Sequence, residues 1–511
     1  MRRPQCGGWL RGSDADCGGG QRTRTAEATA LRDRDPRTAT ANREPIRAID
    51  PRVVGDETSL LKYQMCRMLH SFARLFTLGF AFSLPLAAQD PPKVVSLSPS
   101  HLAADVDAKT TTLTIEFDQA MGAGRSVVGG GPNFPKIKGS SWKNAKRFVI
   151  EVELEPDHTY SMGLNSNTFT NFRSTKGVVL LPVQWSFTTL PALLPDPKEQ
   201  RKRNQKALDT LQQTLAEKYS YYDLRVKDWM KLFATAKPAL LAAKTDAVWA
   251  SAAARMLESA ADIHLSLRFG EQTFATGRRA VDSLFRRERL GKYVAVKPAG
   301  NELALYGRTD DGIGYLLVAG WTQPLDLDAV DRALDELLGC KAIVVDVRPN
   351  SGGDETMAQR VAGWFVDGTK VYAKNRYRVR AGKDGFGPIF DRTVTGNTEA
   401  NKRFGGPIAV LISRYVMSSN ESFVMMLQQA KDCTLVGQPT FGSSGNPKPH
   451  DLGNGVTIVM PSWQDLRLDG SCLEGKGIAP NVPVDVSEQD LQSSDPILER
   501  ALERLRAKLT K

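Results

Sequence analysis

The chain contains few of the residues from which disulfide frameworks and metal sites are built. Its 511 residues include six cysteines and five histidines. Three cysteines, Cys340, Cys433 and Cys472, follow residue 88, and no two of them have the spacing of a metal site. We therefore predict no metal and no other cofactor. Because an odd number of cysteines cannot all pair within one chain, a Cys433–Cys472 disulfide and unpaired core thiols both stay open.

Long hydrophobic runs and clustered positive charge are also missing. The apolar stretch at residues 75–84 is too short to span a bilayer. The 68 Lys and Arg residues exceed the 57 Asp and Glu residues, which gives a formal net charge of +11. Residues 1–88 hold 14 basic and 9 acidic residues, and the remainder has no basic run interleaved with aromatic residues. The sequence therefore predicts neither a nucleic-acid partner nor a stable membrane span.

The first 88 residues divide into two segments of different composition. Residues 1–64 are rich in arginine and lack apolar periodicity, as disordered or untranslated sequence does. Residues 65–88 place two arginines around the start of the apolar stretch and end on small residues, the order of a secretory signal peptide. We therefore predict export to the periplasm, the cell surface or the extracellular space. The alternative, an amphipathic helix of a folded N-terminal domain, lacks a helical stripe.

The length of the chain predicts two or three domains. The spacing of its hydrophobic residues also changes along the chain, from a strand pattern to a helical pattern and then to an alternation of the two. Short alternating strands punctuated by glycine and proline predict a β-sandwich, and an apolar stripe at helical spacing predicts helices after it. Strands that alternate with helices then predict an α/β layer structure. The predicted segments are a β-sandwich at 91–190, a linker at 191–199, a helical part at 200–290 and an α/β domain at 291–505.

One serine lies between a predicted strand and the predicted helix that follows it. Residues 407–412 form a buried apolar strand, and a helical face begins at Ser419, directly after Ser418. A serine at a helix start lies near unsatisfied backbone N–H groups, which can stabilise the oxyanion formed when Oγ attacks an amide carbonyl. Alternatively, Ser418, Ser419 and Asn420 cap the helix and do nothing else.

A glycine-rich turn is a candidate for the second part of an oxyanion site. The buried strand at residues 341–347 leads into a turn that contains Gly352 and Gly353. A glycine N–H can approach a ligand closely because no Cβ intervenes. One of these N–H groups and the N–H of Ser419 would form a two-donor oxyanion hole. Glycines that follow strands are also ordinary turn residues, so the turn alone does not establish the site.

A nucleophilic serine needs a base, and the chain offers few. Three of the five histidines lie in the predicted signal peptide or sandwich, which leaves His264 and His450. His264 follows a predicted helix and can turn toward a neighbouring site, although a structural histidine fits the same place. His450 lies in a polar loop, where we expect it to be solvated. Glu474 is a candidate for the carboxylate that orients the base.

The strands of the predicted sandwich resemble the bacterial Ig-like domains of surface and secreted proteins. The resemblance implies a spacer or adhesion module, and these strands show no cluster of residues with catalytic chemistry. It is carried by short stretches at residues 98–99, 104–106, 117–121, 155–160 and 185–189.

The rest of the chain resembles the serine peptidase family that includes tail-specific (C-terminal processing) peptidases and the tricorn core. The resemblance covers about residues 211–505 and implies an α/β fold of the Clp protease/crotonase ββα type. Its partner would be a peptide or protein substrate. Four sequence blocks carry it in the order of the family, at residues 344–353, 418–421, 435–442 and 474–481.

The resemblance also implies a catalytic apparatus. Tail-specific members use a Ser/Lys dyad, but Ser443 occupies the position of the lysine in this chain. Members similar to tricorn use histidine, serine and glutamate, which would be His264, Ser418 and Glu474, with Ser443 as an auxiliary residue. Only about thirty-five residues separate Leu265 from Asn301, too few for the PDZ insert of the tail-specific peptidases.

Two rivals to a peptidase remain. The first is a binding protein on the same fold that holds peptides or apolar ligands without turnover, and the missing lysine motivates it. The second is an adhesion protein in which the Ig-like domain is the functional part. Cleavage of a mixed peptide library would separate the enzyme from either alternative.

Overall fold

The computed structural model describes residues 90–510, except for residues 167–168 and 278–280. The predicted disordered or untranslated segment 1–64 and the predicted signal peptide 65–88 lie outside the described residues. Within the described ranges, no helix combines the length and apolar content that crossing a bilayer requires.

The first described domain is a β-sandwich. One sheet has the strand order β1-β3-β6-β5 and the other β2-β8-β7-β4. Alternate residues of β3 are buried, as the sequence pattern predicts, and Leu113, Ile115 and Trp185 are fully buried between the sheets. Its strands are β1 (Val94–Ser98), β2 (Ala103–Val106), β3 (Thr112–Phe117), β4 (Val127–Val128), β5 (Lys136–Asn144), β6 (Arg147–Glu153), β7 (Thr159–Leu164) and β8 (Val183–Thr189).

Four helices and two strands follow the sandwich. The side chain of Asp196 caps the first helix, which begins inside the predicted linker. The two strands were not expected in the predicted helical segment. They pair with each other, and β9 also pairs with a later strand in a sheet of order β10-β9-β20-β19. The elements are α1 (Pro197–Lys218), α2 (Tyr222–Arg225), α3 (Trp229–Leu241), α4 (Asp246–Leu257), β9 (Ser266–Phe269) and β10 (Gln272–Ala275), with a 3₁₀ helix at Glu258–Ala260.

The remaining elements form the α/β domain, and with the sandwich they confirm the predicted fold class. They are β11 (Ala295–Ala299), β12 (Asn301–Arg308), β13 (Ile313–Val318), α5 (Leu327–Leu337), β14 (Ala342–Asp346), α6 (Glu355–Ala362), β15 (Thr369–Tyr377), β16 (Phe390–Thr395), β17 (Ile408–Ile412), α7 (Ser419–Leu427), β18 (Cys433–Gly437), β19 (Pro447–Asp451), β20 (Val456–Pro461), β21 (Trp463–Leu466), β22 (Val482–Pro483), α8 (Glu488–Ser493) and α9 (Pro496–Leu509), with 3₁₀ helices at Arg287–Lys292 and Ala400–Lys402.

A seven-stranded sheet of order β11-β12-β13-β14-β17-β18-β22 organises this domain. Strands β13, β14, β17, β18 and β22 run parallel, so their carboxyl ends lie at one edge. Every residue of β14 and β17 is buried, as expected of parallel strands covered on both faces. The turn with Gly352 and Gly353 and the turn with Ser418 follow these two adjacent strands. The sheet thereby brings together two motifs that lie 65 residues apart in sequence.

The Ig-like domain packs against the neighbouring helical part. Leu102 and Ala104 are buried in the same hydrophobic cluster as the residues of α4. The hydroxyl of Ser251 donates to the carbonyl of Leu102 at 2.5 Å, and Thr188 donates to the side chain of Gln272 at 2.6 Å. Continuous packing of this kind fixes the sandwich against the helical part.

Candidate active site

Ser418 has an unusual backbone conformation at the point where the chain leaves β17 and enters α7. Its φ is +56° and its ψ is −133°, a region that residues other than glycine rarely adopt. Its N–H donates to the carbonyl of Ser443 at 2.8 Å, and its side chain makes no capping hydrogen bond. The alternative that Ser418 is a simple cap is therefore not supported. The helix start instead presents the hydroxyl next to unsatisfied N–H groups.

Gly352 and Gly353 pack directly against this serine. A Cβ added to Gly352 would lie 2.9 Å from Ser418 Cβ and 3.2 Å from the backbone nitrogen of Ser419. Both glycines have positive φ, +106° and +135°, which explains the residue type. The sequence therefore located two turns that the fold places in contact.

The two candidate glycine donors differ in their hydrogen bonds. The N–H of Gly352 donates to Asn350 Oδ1 at 2.8 Å and is therefore engaged within the turn in this structure. Among the described residues, no hydrogen bond engages the N–H of Gly353 or that of Ser419. The hydroxyl of Ser419 donates to the carbonyl of Gly353 at 2.5 Å and holds the two turns together. Gly353 and Ser419 are therefore the pair of donors that can bind an oxyanion.

His264 reaches this site through Ser443. Its ring nitrogen Nδ1 lies 2.9 Å from Ser443 Oγ. The backbone N–H of His264 donates to the buried carboxylate of Asp262 at 2.9 Å. Ser443 thus contacts the imidazole with its hydroxyl and the N–H of Ser418 with its carbonyl. Within the described residues no hydrogen bond to Ser418 Oγ is observed, and the direct contact between His264 and Ser418 stays a prediction. Catalytic contacts are often loose without substrate.

Glu421 fixes the loop that carries Ser443. This carboxylate is completely buried and accepts hydrogen bonds from Thr440 Oγ1, from Gly442 N–H at 2.8 Å and from Ser443 N–H at 3.0 Å. Burial nevertheless raises the pKa of Glu421 to about 7, because the interior disfavours the charged form more than these donors favour it. The position of Ser443 therefore depends on a buried acid one turn into the helix of Ser418.

Glu474 binds the backbone of the residue that follows Ser443. Its oxygens accept from Arg225 and from the N–H of Ser444 at 3.0 Å. Burial, followed by the nearby charge of Asp262, raises the pKa of Glu474 to about 8 against the opposing effect of Arg225. Glu474 thus holds the residue that follows Ser443 in the same loop, and its role in orienting His264 stays a prediction.

Several residues of the site were missed from the sequence. Asn420 donates to the carbonyls of Val347 and Asn350 and so joins the two turns, while Tyr219 donates to Asp262 at 2.7 Å. Asn420 and Glu421 stand directly after Ser418, so their place in that block was the available signal. No local signal identifies Tyr219, Arg225 or Asp262, because their partners lie far away in sequence.

The other histidine and the cysteines lie apart from this chemistry. His450 belongs to strand β19, where it is half-buried, and not to the solvated loop that we expected, because β19 pairs with β20. Burial and the charge of Lys218 lower the pKa of His450. Cys340, Cys433 and Cys472 are free thiols, which removes the Cys433–Cys472 disulfide. Within the described ranges, no group of three or more His, Cys, Asp or Glu residues could hold a metal ion.

Comparisons with known proteins agree with both resemblances. Residues 88–189 match the model of a bacterial Ig-like domain, and residues 312–484 match that of peptidase family S41. The carboxy-terminal processing protease CtpA of Bacillus subtilis is 25% identical over 183 residues, which are 35% of this chain and 36% of that protein. A CtpA-like serine protease of Staphylococcus aureus is 28% identical over 158 residues, 31% of this chain and 30% of its own.

The match thus spans about a third of these curated relatives. A crystal structure of a protein from Parabacteroides merdae, described as a peptidase, aligns with a TM-score of 0.53 at 22% identity over 60% of this chain and 96% of that one. This likeness supports the fold. Residues 312–484 are thus similar to peptidase family S41, and residues 88–189, which precede them, are similar to a bacterial Ig-like domain.

Proposed function

We propose that the protein is an exported serine peptidase that hydrolyses peptide bonds through an acyl-enzyme on Ser418. One observation carries the proposal: a serine with strained backbone at a helix start, packed against a glycine turn, beside two N–H groups that no hydrogen bond from the described residues engages. This arrangement suits attack on a carbonyl whose oxygen becomes negatively charged. Matches to a serine peptidase family and its curated relatives support the same reaction.

In the proposed reaction, Ser418 Oγ attacks the carbonyl carbon of the peptide bond, and His264 takes the proton of the hydroxyl. The N–H groups of Gly353 and Ser419 bind the oxyanion. His264 then gives the proton to the leaving amine, which leaves the acyl group esterified to Ser418. Water, activated by the same imidazole, hydrolyses the ester and restores the serine.

Ser443 takes the part that a carboxylate plays in other serine peptidases. If the Nδ1–H of His264 donates to Ser443 Oγ, the other ring nitrogen is the basic one, as removal of a proton from Ser418 requires. We propose that substrate binding brings this nitrogen onto Ser418 Oγ. Because a neutral hydroxyl stabilises an imidazolium less than a carboxylate does, we expect a slower enzyme than one with a complete Ser-His-Asp triad.

Export rests on the pattern of residues 65–88, in which basic residues, an apolar stretch and small residues follow one another. Determination of the N-terminus of the protein recovered from its native host would test it. Mature protein that begins near residue 89 and lies outside the cytoplasm is expected. Protein that retains residues 65–88 in the cytoplasm would contradict export and leave the catalytic proposal untouched.

A fluorophosphonate probe and a mixed peptide library test the reaction. The purified wild type should become covalently labelled and should cleave library peptides, and Ser418→Ala should abolish both. Ser493→Ala is the matched control, because Ser493 is exposed at the end of α8 and should change neither result. Labelling that persists in Ser418→Ala would refute the nucleophile. Peptide binding without any cleavage by the wild type would favour the binding protein.

A further inference from the structure

A short stretch of the helical part, residues 219–225, contacts the groups that fix both the loop of His264 and the loop of Ser443. It starts where α1 ends and contains α2, and we call it the connecting segment. At its first residue, the hydroxyl of Tyr219 donates to Asp262 at 2.7 Å, and the same carboxyl group accepts the backbone N–H of His264. This end of the segment therefore binds the acid that holds the histidine loop.

The last residue of the connecting segment is Arg225, whose guanidinium forms an ion pair with Glu474. The other oxygen of this carboxyl group accepts the backbone N–H of Ser444 at 3.0 Å. The residue after the acid, Gly475, donates its N–H to the carbonyl of Gly442 at 2.7 Å, so the two loops are joined on either side of this contact. Arg225 thus reaches the loop that contacts the imidazole through a single carboxyl group.

Contacts in the middle of the connecting segment fix its position. The backbone of Ser220 donates to the carbonyl of Pro461 at 3.2 Å and accepts from the side chain of Gln464 at 3.0 Å. The hydroxyl of the fully buried Tyr221 accepts the N–H of Asp465 at 3.3 Å. A side chain that extends from a fixed backbone holds its partner more precisely than one on a mobile loop. The segment can therefore present its guanidinium in a defined place.

Two buried acids interact in this region, and Arg225 is a cation beside them. Burial and then the charge of Asp262 raise the pKa of Glu474, and Arg225 opposes both effects. A carboxylate in the interior takes up a proton when its cation is removed. A neutral carboxyl group accepts an N–H bond roughly half as strongly as a carboxylate does. Loss of Arg225 should therefore weaken the hold of Glu474 on Ser444.

We propose that Arg225 is a positioning residue for the base: by pairing with Glu474, it holds the loop of Ser443 against His264. The inference rests on the proposed peptidase function and goes beyond it, because it gives the helical part a task in the reaction. Arg225 lies outside residues 312–484, the range that matches the peptidase family. It acts through Glu474 and not on the substrate.

Fluorophosphonate labelling of the full chain at pH 9 tests the proposal. This pH lies above the pKa of Glu474 of about 8, so the wild type carries the ion pair. Arg225→Met should lower the labelling rate constant at least tenfold, and Arg225→Lys, which keeps the charge, should stay within threefold of the wild type. In a chain that carries Glu474→Gln, Arg225→Met should change the rate less than twofold, because no carboxylate is left to pair with. Equal falls in both backgrounds, or an Arg225→Lys rate as low as that of Arg225→Met, would overturn the proposal.

Arg376→Met is the matched control for loss of a half-buried arginine. Arg376 is half-buried like Arg225, but its side chain donates to the uncharged side chain of Gln464 at 2.9 Å. The labelling rate of Arg376→Met should therefore stay within twofold of the wild-type rate. A fall as large as that of Arg225→Met would mean that general loosening causes both losses, and it would overturn the proposal.

Amide hydrogen exchange separates this inference from the function on which it rests. Arg225→Met should speed the exchange of the peptide that spans residues 440–446 at least fivefold. Exchange of residues 342–346, in β14, should not change, which shows that the variant folds. Wild type that resists labelling while this difference in exchange persists would refute the peptidase and retain the positioning role. Labelled wild type, with an unchanged exchange and rate in Arg225→Met, would refute the positioning role and retain the peptidase.

Discussion

The two halves of the proposed site are held in place by different means. The nucleophile half, consisting of Ser418, Ser419 and Gly353, is set by backbone geometry at the ends of two adjacent parallel strands. The base half, consisting of His264 and Ser443, is set by hydrogen bonds from backbone N–H groups to buried acids, from His264 to Asp262 and from Ser443 to Glu421. The difference teaches that the first half depends on which residues fit the backbone, whereas the second depends on buried carboxyl groups, of which Glu421 has a pKa raised to about 7.

Gly353→Ala should have the largest effect on the nucleophile half. Its φ is +135°, and a Cβ would lie 1.9 Å from the carbonyl oxygen of Trp321, so the turn must move. Loss of one oxyanion donor costs roughly 10²–10³ in kcat, and we expect a fall of that size in peptide hydrolysis. Gly368→Ala is the control, because Gly368 also has positive φ but has open space around it. A comparable fall in kcat in both variants would mean that backbone strain alone causes the effect.

Ser443→Ala should have a smaller effect, on the base half. It removes the hydroxyl at His264 Nδ1 and leaves the carbonyl that accepts from Ser418. We expect kcat to fall roughly 10²-fold, less than the ~10⁴-fold loss that follows removal of the proper orienting contact from a triad with a carboxylate. The pH profile of kcat should shift as well. The hydroxyl of Ser444 donates to Asp465, so Ser444→Ala should lower stability without a shift in the pH profile of kcat. An unshifted profile in Ser443→Ala would argue against a contact between its hydroxyl and the base.

Glu421→Gln should show the smallest effect on rate and a clear one on stability. The pKa of Glu421 is raised to about 7 in the folded protein, so between about pH 4.5 and 7 the folded state binds more protons than the unfolded state. Stability from this group is therefore highest at low pH and falls by up to about 3 kcal/mol as the pH rises through this window.

Urea unfolding at pH 5 and pH 8 measures this difference. Relative to Glu421→Gln, the wild type should lose more free energy of unfolding between the two pH values. Exposed Glu399 supplies the control, and Glu399→Gln should retain the wild-type pH dependence. If Glu421→Gln also retained it, the buried acid would not be the titrating group of the base half.

The nucleophile half could be predicted from the sequence because its signals are local. A buried apolar strand, a break and a helical face identify Ser418, and two glycines after another buried strand identify the second turn. The choice of Gly353 over Gly352 could not be predicted, because it depends on the side chain of Asn350. The sandwich and the α/β alternation were predictable for the same reason, whereas β9 depends on pairing with a strand almost two hundred residues later, and β10 pairs with β9.

The base half could not be predicted from local signals in the sequence, because its partners lie far apart. His264 and Ser443 are 179 residues apart, and Arg225 and Glu474 are 249 residues apart. Family resemblance brought His264, Ser418 and Glu474 into consideration together. It could not show that Ser443 takes the contact with the imidazole, because that depends on how Glu421 fixes the loop. The raised pKa values of Glu421 and Glu474 likewise arise from burial, which only the folded chain defines.

The central claim is that the base half serves the nucleophile half. The rate constant for fluorophosphonate labelling of Ser418, measured from pH 5 to pH 9 in wild type and in His264→Gln, tests it most directly. The account predicts a wild-type rate that rises as the imidazole loses its proton, and a variant that is about 10³-fold slower and nearly independent of pH. Equal rates with the same pH dependence in both proteins would contradict it.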